Sequence, residues 1–173
     1  MKTLTLLSGS LYKRISAVVL FGAIVSFGLF GQKANFSGTY TFNEGKSQMG
    51  EGRFRAPASK LVIAQSDSVL TMDKTGKDMN GDDAVTKEKY NLGGKISENA
   101  GFMNSVKKST VAWSADNKAL TISSTTIMER DGNSMEIKAV EVYSLSADGK
   151  SLTINSTSTS QRGERKQTIV YDK

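Results

Sequence analysis

Apolar and polar positions alternate along Ser151 to Ser160, with Leu152, Ile154, Ser156, Ser158 and Ser160 on one face and Ser151, Thr153, Asn155, Thr157 and Thr159 on the other. A period of two is the signature of a half-buried strand. Similar runs, rich in Thr, Val, Ile and Tyr, occur at Gly38 to Asn43, Lys60 to Gln65, Val69 to Lys74, Ala84 to Leu92, Ser105 to Ser114, Ala119 to Glu129, Ser134 to Leu145 and Gln167 to Asp172. The pattern predicts nine strands. Beyond Ala34 apolar residues do not recur at spacings of three and four, so no helix is expected. Turn signals separate the runs: "QSDS", "KTGKDMNGDD", "GGKISENAG", "SADNK", "RDGN", "SADGK" and "QRGER".

Two of these turns nearly repeat each other, for "SADNKALTI" begins at Ser114 and "SADGKSLTI" at Ser146. Asp in each can bond its own backbone, and Gly149 and Asn117 are the residue types that best tolerate the left-handed conformation of a tight hairpin. The repeat therefore predicts two hairpins of like geometry. No helix follows to make a phosphate cradle, and closely spaced oxygen ligands for calcium are missing. Short links imply that consecutive strands are antiparallel neighbours, and closure into a barrel removes exposed edges. The expected fold is all-β, an up-and-down meander closing into a barrel. On the Ser151 to Ser160 face the apolar side fades to serine, and Ala119 to Glu129 behaves alike through Leu120, Ile122, Ser124, Thr126 and Met128. Such a barrel is dry at one end and wet at the other, which fits a ligand cavity or a solvated outer margin.

The first thirty residues change the domain picture. Lys2, Lys13 and Arg14 precede "ISAVVLFGAIVSFGLF", a charge-free run of sixteen, and then "GQKANFSG". This is the layout of a secretory signal, and the run is shorter than the roughly 18 residues of a spanning helix. The chain is thus divided into a signal peptide, 1–31, and one β-barrel domain, 32–173, secreted or periplasmic, with no stable membrane span once the leader is cleaved. The formal charge of +6 falls to +3 without the leader, with 20 basic and 17 acidic side chains interspersed. No basic stripe suggests nucleic acid as a partner. Cysteine and histidine are both absent. Thiol catalysis, imidazole bases, Ser-His-Asp triads and His- or Cys-ligated metals are excluded. Neither catalytic residue, nor metal, nor cofactor is expected, and the protein is read as a non-enzyme.

Candidate site residues follow from these strands. Phe42, Tyr90, Trp113, Met128 and Tyr143 are the candidate lining of a cavity, and Trp113, the only tryptophan, serves equally as a core or rim plug. In "GEGRFRAPAS" Phe54 stands between Arg53 and Arg55, a candidate lid that covers a cavity or seals the barrel end. "DKTGKDMNGDD" carries Asp73, Asp78, Asn80, Asp82 and Asp83 but lacks the Gly and Glu positions of an EF-hand loop, and reads as a hairpin turn.

"FSGTYTFNEGKSQMG" at the start of the mature chain, Pro57 with "KLVIAQSDSVLTM" after it, and the closing "LSADGKSLTINSTSTSQRGERKQTIVYDK" together resemble a group of small secreted bacterial proteins of lipocalin-like type. That resemblance implies a calycin-type β-barrel and no established activity. A fainter similarity is to the intracellular lipid-binding proteins. Tyr40 stands where they have tryptophan and Ile169 where they have the arginine that clamps a fatty-acid carboxylate, although Tyr171 is kept. The expected function is an exported, non-catalytic lipocalin-like barrel binding a small hydrophobic or amphipathic ligand. The alternative is an envelope or extracellular protein-interaction module with a packed barrel and no ligand.

Overall fold

The structure, a computed structural model, describes residues 31–50, 56–78, 80–101, 104–130 and 132–173. The leader and the candidate lid Arg53, Phe54 and Arg55 lie outside the described residues. Ten strands follow one another: β1 Gly38–Phe42, β2 Lys60–Gln65, β3 Val69–Lys77, β4 Asp83–Asn91, β5 Ser97–Ala100, β6 Val106–Trp113, β7 Ala119–Arg130, β8 Asn133–Leu145, β9 Ser151–Ser160 and β10 Gly163–Asp172. All pairings are antiparallel, in the order β4-β3-β2-β1-β10-β9-β8-β7-β6-β5. The first and last strands lie side by side, so the all-β up-and-down meander is a nearly closed barrel with its seam between β4 and β5.

One strand more than the sequence pattern predicts is present. β5 falls within "GGKISENAG", where four mostly polar residues carry too little alternation to stand out from a turn. β10 also begins earlier than its apolar end suggests, at Gly163, since Glu164, Arg165 and Lys166 pair with Thr159, Ser158 and Thr157. A 3-10 turn, Glu44–Lys46, follows β1 and is capped by the Asn43 side chain, which accepts from the Lys46 amide.

The twin turns are geometric copies. In each, serine donates to the aspartate at 2.6 Å, and that aspartate accepts the lysine amide at 3.1 Å. The residue after the aspartate is left-handed, Asn117 with φ 59° and Gly149 with φ 69°. Asparagine at 117 has a further use, because its side-chain amide donates to the carbonyl of Gly31 at 2.8 Å while its own carbonyl accepts from the Ala34 amide at 2.9 Å. The turn thereby anchors the segment that crosses the base of the barrel. Gln65 grips the same segment, accepting from the Phe36 amide and donating to the Ala34 carbonyl.

Phe36, completely buried, caps that closed end and stacks on Trp113 with ring centroids 6.1 Å apart. Above it the core is built from inward residues of nearly every strand, including Tyr40, Leu61, Ile63, Leu70, Met72, Val111, Leu120, Ile122, Leu152 and Ile154. Each occupies the apolar phase of its strand's alternation, which is why this register and no other buries them together.

Candidate binding lumen

The interior of β6 to β10 is layered by register. Trp113, Leu120, Tyr143, Ile154 and Ile169 stand opposite one another around the lower wall. The next layer towards the mouth is Val111, Ile122, Glu141, Ser156 and Gln167, and the one above it Ser109, Ser124, Ala139, Ser158 and Arg165. The lowest layer is sealed except for Trp113; in the third, Ser124, Ala139 and Ser158 are only half-buried and Arg165 is exposed. Water thus reaches the inward face of the upper barrel but not that of the lower. The fade from leucine and isoleucine to serine lies on the strand face that carries the core, and its upper part meets solvent.

Charged side chains concentrate where these zones meet. Glu88 of β4 is buried and pairs with Lys74 of β3 at 2.7 Å and with Lys107 of β6, and it also accepts the Tyr90 hydroxyl at 2.7 Å. Lys107 in turn donates to the Tyr90 oxygen at 3.0 Å. Burial opposes ionisation of Glu88, but the two ammonium groups outweigh it and hold the carboxyl down at about 2. Burial likewise works against charge on Lys74, yet Glu141 and Glu88 overcome it and raise the ammonium above its ordinary value. Glu141 accepts the Tyr143 hydroxyl at 3.1 Å. Tyr90 and Tyr143 are pushed well up by burial first and the neighbouring carboxylates second, so both phenols stay protonated donors. Tyr171, also desolvated, is pushed up to about 12.

Three tyrosines therefore divide the dry base from a charged and hydroxylated upper interior. The lysine–glutamate cluster also bridges the seam, because β4 and β5 exchange no ladder. Side chains close it: Asn99 accepts from the Lys89 amide at 2.7 Å and donates to its carbonyl at 3.1 Å, and Ser97 accepts from the Asn91 amide at 2.8 Å.

Near the mouth, a cavity of about 210 Å³ opens against the inner wall of β3 and β4, lined by Ala56, Ala58, Lys74, Gly76, Lys77, Ala84 and Thr86. Two hollows of about 420 and 450 Å³ adjoin across β6, β7 and β8 and include the exposed apolar residues Ile96, Val106, Ile127 and Val140, and Ser109, Ser124 and Ala139 also line the larger of them.

The five candidate lining residues do not form one surface. Tyr90 and Tyr143 are in the phenolic layer, and Phe42 packs edge-on against Tyr171 at 5.8 Å. Met128 is buried apart from the main core, next to Met135 in register at the far end of the β7–β8 hairpin. Trp113 is at the closed base, beneath Lys33 at 5.3 Å, away from the upper interior. Lys74, Glu88, Lys107 and Glu141 escaped the sequence reading. A signal for them existed: Lys74, Glu88 and Glu141 each lie two residues from an inward apolar or aromatic neighbour, Met72, Tyr90 and Tyr143 respectively, and Lys107 lies four from Val111, so each shares its neighbour's face.

Among the described residues no cluster of acidic side chains is arranged to hold a metal ion, and no helix is long and apolar enough to cross a membrane. Comparison with family models, curated proteins and solved structures returned no match to this chain.

Proposed function

We propose that the protein is an exported, non-catalytic carrier of lipocalin-like type, and that it takes a small amphipathic molecule into the upper interior, above Tyr90, Tyr143 and Tyr171. The observation that carries this reading is the change along the inward positions: β9 passes from sealed Leu152 and Ile154 to half-buried Ser158, β7 from Leu120 and Ile122 to half-buried Ser124 and Thr126, and β8 sets Glu141 and Ala139 at the same level, with Ile137, Met135 and Met128 beyond. Buried ion pairs are poor sources of net stability, so the two lysines and the glutamate in the lumen suit a polar ligand as well as the seam they bridge. An internal polar surface that meets water is the usual provision for a ligand with a polar group. Glu88 is held ionised by two lysines, which unsuits it as a general acid near neutral pH. Export is supported by the charge-free run after Arg14.

Titration with the neutral fluorophore N-phenyl-1-naphthylamine tests this. One saturable site per chain is expected, lost when Ser158→Trp fills the upper interior. Absence of saturable binding, or binding untouched by Ser158→Trp, contradicts it.

A second reading has its own observation. The outer face of β6 to β8, with Ile96, Val106, Ile127 and Val140 around its hollows, is an apolar surface of the kind that contacts proteins. In that case the fluorophore binds outside the barrel and Ser158→Trp has no effect.

A further inference from the structure

The cavity against β3 and β4 has an unusual lining. Its walls are small, with Ala58, Gly76, Ala84 and Thr86 facing it, and the charged residues that border it are both cations, Lys74 and Lys77. Lys77 is at the rim, where it pairs with Asp83 in a solvent-exposed contact. Lys74 is different, because its side chain is 23% exposed and its ammonium lies between the cavity and Glu88. Glu88 has a second ammonium, Lys107, and a phenol donor, Tyr90.

We propose that this cavity is an anion subsite of the lumen, in which Lys74 holds the carboxylate or phosphate of a small, compact ligand. The inference rests on the carrier reading and names the head group it accepts. Ordinarily, drawing one partner from a buried ion pair leaves a charge uncompensated, at a large cost. Here Lys74 turns towards an incoming anion while Glu88 keeps Lys107 and the Tyr90 hydroxyl. With Glu141 also acting on Lys74, the cluster sets two ammonium groups against two carboxylates, and each carboxylate keeps a donor when Lys74 turns to an anion, Lys107 and Tyr90 on Glu88 and Tyr143 on Glu141. Glu141, across the lumen on β8, acts on Lys74 ahead of Glu88 and accepts from Tyr143. It therefore limits the subsite to a single compact anion and disfavours a polyanion. Size points the same way. About 210 Å³ between small side chains accommodates one substituted ring or a short branched acid and excludes a long acyl chain from this slot. Gly76 keeps the slot open, since a Cβ there would meet the Ala58 Cα at 3.6 Å and project a longer side chain into the space.

Calorimetric titration of the whole mature chain with benzoate and phenyl phosphate, against benzyl alcohol as the neutral counterpart, is the test. The expected result is one site for each anion, with benzyl alcohol about tenfold weaker or more, as for a partly desolvated charge contact. Lys74→Gln should bring benzoate down to the level of benzyl alcohol, and Ala84→Leu, which fills the slot, should remove all three. Equal affinity for benzoate and benzyl alcohol in the unaltered protein overturns the proposal without any variant. So does benzoate binding that survives Lys74→Gln or Ala84→Leu. If N-phenyl-1-naphthylamine still saturates one lumenal site while benzoate does not bind, the carrier reading stands and the anion subsite falls. If the anions bind as expected while the fluorophore does not, the subsite stands and the carrier reading falls.

Discussion

Lys107 on β6 reaches past β5 to the carboxylate of Glu88 on β4, so an ion pair spans the seam at which the sheet order ends. The side chains of Asn99 and Ser97 do the remaining joining. Elsewhere adjacent strands share a continuous backbone ladder. The charged cluster is thus part of the wall of the barrel as well as part of its lumen.

Removing the shared partner should cost more than removing either lysine. Glu88→Ala leaves Lys74 and Lys107 without their carboxylate in a poorly solvated place, and the expected loss is about 3 kcal/mol or more. Lys107→Met leaves Glu88 still paired with Lys74 and adds apolar volume, so a loss of about 1 kcal/mol is expected. Urea unfolding of the two variants checks the order.

The acid limb of stability follows from the same carboxyl. Glu88 is depressed from 4.5 to about 2 in the folded chain. Its contribution is present above the unfolded value and disappears as pH falls from about 4.5 towards 2, a change on the order of 3 kcal/mol. Asp172, depressed to about 2 by Asn43, Lys46 and Ser151, acts in the same window from an exposed position. Glu88→Gln should flatten this limb in denaturation curves measured from pH 5 to pH 2.

On the alkaline side the sign reverses. Tyr90, Tyr143 and Lys74 all have folded values raised above their ordinary ones, so the stability they bring is complete below about pH 10 and is lost as pH rises beyond it. Phenolate absorbance from the two buried tyrosines should appear only together with unfolding, seen as loss of the β-sheet circular dichroism.

The two copied turns should differ in sensitivity. A Cβ at Gly149 meets nothing within 4 Å, so Gly149→Ala costs only the left-handed backbone term, about 1 kcal/mol. Asn117→Ala carries a similar term and loses the bond to Gly31, giving about 2 kcal/mol. Melting temperatures of the two variants test the ranking.

How far these features were legible in the chain varies with their physical origin. The alternation of Leu152 and Ile154, or of Leu120 and Ile122, announces strands because burial of one face demands it, and the twin SAD turns announce themselves through local bonds alone. β5 was hidden because Ser97–Ala100 is held by its neighbours: Asn99 and Ser97 bond the backbone of β4, and no apolar period marks them. The charged lumen was hidden for a related reason. "TKEKY" looks like a solvated face until Glu88 is counted as sharing a side with Tyr90, and its two lysine partners come from strands distant in sequence.

Seam opening gives a further prediction. Asn99→Ala removes both bonds to Lys89 and should speed hydrogen exchange of the Lys89 amide at least tenfold. The amide of Ile154, in the ladder of the opposite wall, should be unchanged.

The central claim concerns where a small amphipathic molecule binds, and amide shift mapping by nuclear magnetic resonance during titration with N-phenyl-1-naphthylamine reads that location directly. The expected perturbations fall on Glu88, Thr126, Glu141 and Ser158, whose side chains face the upper interior. Perturbations confined to Ile96, Lys138 and Val140 on the outer face, or none at saturating probe, would contradict the account.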